Sequence, residues 1–135
     1  MGFRFGGHHS GWNMRYVRLY ADQAGESHFE DVDVQLTPVD FAPPAPPAYL
    51  SSYVPATRCA FIVGPAGWYG DWHPTPRRQF FIWLRGETEV LASDGTVRRF
   101  GPGSVVLLED TTGKGHVSRV VSTEDALHVI VQLPD

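Results

Sequence analysis

Fourteen glycines and eleven prolines are spread through only 135 residues. Inside a helix each glycine costs about 1 kcal/mol relative to alanine, and each proline about 3 kcal/mol. So many breakers in one short chain exclude a helical bundle and point to a turn-rich, all-β domain. The length suits one domain and leaves no room for two. A hydrophobic share of 42% and an aromatic share of 13% supply one proper core. The net charge of -4 argues against nucleic acid and against a polybasic membrane surface. No apolar run approaches the roughly 20 residues of a membrane helix.

Apolar and polar residues alternate with period two along most of the chain, which is the pattern of half-buried strands. Short strands are expected at 15–20 and 29–36, then in quick succession at 57–63, 68–73, 79–85, 87–92, 96–100, 104–108, 115–121 and 126–133. Ser93, Asp94 and Gly95 mark a hairpin turn. The spacing is that of a sandwich or small barrel. Residues 38–47 hold five prolines and are expected to form an extended arm rather than a strand. Residues 1–13 read as a flexible tail or upstream segment, so His8 and His9 are set aside, and the domain is taken as 14–135. Cys59 is single, which excludes an intrachain disulfide and suggests a reduced, cytoplasmic setting. Its apolar neighbours, Ala60 to Val63, favour a buried packing role.

Two glycine-bounded segments carry the chemistry. In 67–86, Gly67 is followed after five residues by His73, then Thr75, Gln79 and Gly86. In 103–119, Gly103 leads to Glu109 and, beyond a long loop, to His116. The pair resembles the two motifs of the cupin superfamily, over most of the chain after Thr57. That resemblance implies a single double-stranded β-helix, or jelly-roll barrel, to which the N-terminal strand and the proline-rich arm are added. It also implies a divalent metal (Fe, Mn, Zn or Ni) held by three histidines and a glutamate. Here His73 and His116 match, whereas Thr75 replaces a histidine and Gln79 the glutamate. Amide and hydroxyl are weaker donors for such ions. Asp71 stands two residues before His73, so an unbroken strand places both on one face and offers a replacement ligand.

Alternation puts Gln79, Phe81 and Trp83 on one face of their strand, and Tyr69 with Asp71 and His73 on another. With Thr75 and His128 these residues define an aromatic pocket for a small organic molecule. Arg77 and Arg78 are placed to steer a carboxylate. The opposite, apolar face of 79–85 calls for a cover by a second sheet or a second subunit, which suggests a homodimer. Three functions stay open. The first is a metal-dependent enzyme acting on a carboxylate or carbonyl compound as decarboxylase, isomerase, cyclase or dioxygenase, with His73, His116 and Gln79 catalytic and Asp71 a further ligand. The second is a metal-free enzyme using histidine as acid and base. The third is a non-catalytic binding module.

Overall fold

The computed structural model describes residues 3–5 and 12–135. Among them are twelve strands and no helix. The first six are β1 (Phe3–Phe5), β2 (Trp12–Ala21), β3 (Ser27–Val39), β4 (Ala48–Leu50), β5 (Arg58–Gly64) and β6 (Tyr69–His73). The others are β7 (Gln79–Arg85), β8 (Thr88–Ala92), β9 (Val97–Phe100), β10 (Val105–Glu109), β11 (His116–Val120) and β12 (Ala126–Gln132). The larger sheet runs β4-β3-β2-β10-β7-β12-β5 with β1 added on β2, and the smaller runs β6-β11-β8-β9. Every pairing is antiparallel except β2 with β10, where Val17 stands opposite Val106 and Tyr20 opposite Glu109. Two such sheets enclosing a common interior make a jelly-roll barrel.

The interior is built by alternation. β7 turns Phe81 and Trp83 inward, and Trp83 is nearly sealed in a cluster with Leu19, Val90, Ala92, Phe100, Val106 and Leu108. Each large apolar side chain fully buried there contributes about 1.5–3 kcal/mol. The indole N–H of Trp83 donates to Thr88 Oγ1 at 3.1 Å, so the ring carries no unpaired polar atom into the core. On the outer side of β7, Tyr16 packs edge-on against Phe80 at 5.4 Å, while Leu84 stays open.

Three expectations change at the periphery. Residues 38–47 are not a separate arm. Pro38 and Val39 finish β3 and pair with Tyr49 and Ala48 of β4, so most of the prolines lie in the loop of a hairpin. Cys59 is exposed rather than packed, because β5 is the outermost strand of its sheet and no other described residue covers its outer side. Phe61 (75% exposed) and Val63 share that openness. Finally, Phe3–Phe5 pairs with Trp12 to Met14, which brings 12 and 13 into the barrel sheet; His8 and His9 lie outside the described residues.

Candidate functional site

A cavity of about 420 Å3 opens inside the barrel. Leu19, Phe29, Phe81, Trp83, Phe100 and Val106 form much of its wall, and His73, Thr75, Gln79, His116 and His128 bring polar groups to it. Its volume lies in the range of small-molecule sites.

His116 opens β11, directly opposite His73 of β6, and the two imidazole rings are 4.6 Å apart. Behind His116 stands Asp110, fully buried in the loop after β10. Its Oδ2 is 2.6 Å from His116 Nδ1, and its Oδ1 accepts from the Thr75 hydroxyl at 2.7 Å. The Thr75 backbone N–H also donates to the Asp110 carbonyl at 3.0 Å. A carboxylate only accepts, so the His116 ring proton is assigned to Nδ1 and the lone pair of the neutral ring to Nε2. His73 Nδ1 lies 2.5 Å from the Asp71 carbonyl oxygen, which fixes the same tautomer. His128 does likewise toward the Ile62 carbonyl at 3.2 Å, with its ring edge-on to Trp83 at 4.8 Å. Burial pushes the His128 imidazole below its ordinary range, opposed only by the Ile62 bond.

The loop carrying Asp110 is held from three sides. Lys114 N–H donates to the Gly25 carbonyl at 2.9 Å, and the sealed Ser27 hydroxyl donates to the Gly115 carbonyl at 2.7 Å. Gly115 has φ +72°, and a Cβ there would sit 2.0 Å from the His73 carbonyl oxygen. Only glycine permits that approach. The Gly113-Lys114-Gly115 segment therefore braces the Asp110–His116 pair.

Thr75, Gln79, Phe81, Trp83 and His128 all line the cavity beside His73 and His116, whereas Tyr69 and Asp71 do not. Tyr69 is 58% exposed, and Asp71 turns its carboxylate to the Trp72 backbone N–H at 2.9 Å. The cause is a bulge. Ser118 pairs with Gly70 while His116 pairs with His73, so β6 holds one extra residue and its alternation slips. The same slip brings in Trp68. Its ring lies over Gly70, where any Cβ would stand 2.5 Å from the indole, and it joins the cavity wall. Arg78 does not reach the cavity either; with Arg18 it grips Glu109. Burial pulls the Glu109 carboxyl upward, but the two guanidiniums outweigh it and hold it below the ordinary carboxylate value. Arg77 lies 3.7 Å from Asp135.

Facing sheets, a parallel β2–β10 contact and a histidine-bearing cavity at the barrel centre decide the architecture. The fold is a jelly-roll barrel, the architecture that the cupin resemblance implies. No family model matches this chain, nor does any curated protein. Among solved structures it is similar to the Schizosaccharomyces pombe Cnp3 cupin domain, with 14% identity and a TM-score of 0.48. That match covers 95% of this chain and 86% of the other. The cupin resemblance implies a metal, and the donor set does not fit one as a resident ion. Among the described residues no three His, Cys, Asp or Glu side chains are grouped to hold it. His73 and His116 lie together, and His128 and the neutral amide of Gln79 stand elsewhere on the wall. The Asp110 carboxylate is spent on His116 and Thr75, and that of Asp71 on the Trp72 N–H. No helix of the described residues is long and apolar enough to cross a membrane.

Proposed function

We propose that the barrel binds a small organic molecule and that His116 exchanges a proton with it, without a metal. The observation that supports this is the buried Thr75–Asp110–His116 chain, which ends on the cavity wall. Asp110 orients the imidazole and stabilises it when Nε2 gains a proton, the arrangement a general base requires. His73 stands beside it as a second proton-accepting ring. Gln79, whose Oε1 accepts from Gln132 Nε2 at 3.4 Å, keeps its own N–H groups for the ligand.

The test is a thermal-shift screen of small aromatic and carbonyl compounds with and without chelator. It is followed by NMR of solvent deuterium entering an acidic C–H of a bound hit. Binding and exchange are expected to persist with chelator, and exchange to vanish in His116→Asn. Loss of binding on chelation sinks the metal-free reading. It would favour the alternative in which His73 and His116, 4.6 Å apart, share a divalent ion completed by the ligand itself. We extend the proposal to a cytoplasmic homodimer. The open edge of β5 carries no charge from Cys59 to Val63, so a second copy can add to it without leaving a charge unmatched. A monomeric mass in solution overturns that part.

A further inference from the structure

The three histidines of the cavity share one hydrogen-bonding sense, and no charged side chain is found among the described residues that line it. His73, His116 and His128 each commit Nδ1 to an acceptor: the Asp71 carbonyl, the Asp110 carboxylate and the Ile62 carbonyl. In the neutral ring each then presents a lone pair at Nε2. Among the described residues only Arg77 Nε is a sealed side-chain polar atom without a partner. The Nε2 atoms of buried His116 and His128 are therefore not shut in by protein; they open to the cavity they line. Among the described residues no Lys, Arg, Asp or Glu lines that cavity. The guanidinium of Arg78 is taken up by Glu109, and that of Arg77 faces Asp135. A carboxylate inside would thus meet imidazole lone pairs, with the neutral Gln79 amide but no cation to receive it, so burying it is costly. The wall around those lone pairs is aromatic: Phe81 and Trp83 have centroids 6.0 Å apart, and His128 lies against both.

We infer that the ligand is an uncharged, flat aromatic compound carrying a hydroxyl donor, a phenol by class, whose O–H points at His116 Nε2. This rests on the binding function proposed above and narrows it, setting aside the carboxylate substrates that the sequence suggested. Proton exchange then balances simply. The O–H bond breaks, its proton moves to Nε2, the electron pair stays on oxygen, and Asp110 faces the imidazolium that results.

Three probes with one skeleton test the inference by calorimetry on the whole chain at pH 7.5. They are 2-naphthol (neutral donor), 2-methoxynaphthalene (neutral, no donor) and 2-naphthoate (anion). The expected result is 2-naphthol binding at least about tenfold more tightly than either of the others, since each of them leaves a buried group unpaired. Equal or tighter binding of 2-naphthoate overturns neutrality, and equal binding of 2-methoxynaphthalene overturns the donor requirement; in both cases small-molecule binding itself stands. Failure of all three overturns the phenol class. If the wider thermal-shift screen also yields no hit, the binding function falls with it.

Discussion

Asp110→Asn changes one atom at the base of the site and has two separable consequences. In the native chain Oδ1 accepts from Thr75 at 2.7 Å and Oδ2 faces His116 Nδ1 at 2.6 Å. The Thr75 hydroxyl keeps the carbonyl end of the new amide on its own side, so the NH2 end meets His116. Two bonds lose their ionic partner. Bonds to charged groups contribute about 1.5–3 kcal/mol against about 1 kcal/mol for neutral ones. Allowing about 0.5–1 kcal/mol lost per bond, stability should fall by about 1–2 kcal/mol. For a domain of this length that is about 4–7 °C in Tm. The amide N–H also obliges His116 Nδ1 to accept, which moves the ring proton to Nε2 and replaces the lone pair in the cavity by a donor. Urea unfolding reads the first effect, and nitrogen-15 NMR of the histidine side chains reads the second. If His116 keeps its proton on Nδ1 in the variant, the reasoning about Asp110 is wrong, whatever the stability change.

Gly115→Ala should destabilise far more than Gly95→Ala. Both glycines have positive φ, but a Cβ at 115 meets the His73 carbonyl oxygen at 2.0 Å, whereas at 95 nothing lies within 4 Å. Denaturant midpoints would show a cost of roughly 1–2 kcal/mol at Gly95 and loss of cooperative folding at Gly115. Leu19→Ala, at a fully buried position, should cost about 2–5 kcal/mol by the same measurement. His28 is bonded to Asp22 at 2.7 Å and Asp94 at 2.9 Å, and its pKa is raised, chiefly by the Asp22 bond. Its contribution is therefore fully present below pH 6.5 and lost as pH rises through the raised value, so His28→Ala should lower Tm at pH 5.5 and much less at pH 9. His128 has the opposite sign: burial lowers its pKa, so stability present above pH 6.5 is lost as pH falls, and His128→Phe should flatten that acid limb in a Tm series.

The barrel strands were legible because alternation survives wherever one face is buried: 79–85 is recovered to the residue as β7, and 126–133 runs one residue beyond β12. His73 and His116 were legible through the glycines around them. Tyr69 and Asp71 were misplaced because a bulge in β6 has no signature in one sequence, and the period-two rule fails on one side of it. Trp68 escaped for the same reason. Asp110 was harder. It follows the last residue of β10, where no periodicity points a side chain, and its partner Thr75 is 35 residues away. Cys59 misled because an apolar run reads as buried whether its strand is central or at an edge; that distinction belongs to sheet order, which composition does not carry.

The brace on the Asp110 loop also bears on when the site comes into existence. Ser27 reaches Gly115 across 88 residues of chain, and Ser27 and Ser93 exchange bonds across 66. Closing loops of that length is entropically uphill until the sheets have met. The imidazole pair thus acquires its spacing only once the β2–β3 turn, the β8–β9 turn and the loop before β11 have converged. Partly folded chains hold the same side chains without the arrangement, so on the proposed function ligand affinity arises at the final docking of these three turns. A ligand selective for that arrangement slows unfolding without hastening the collapse that precedes it.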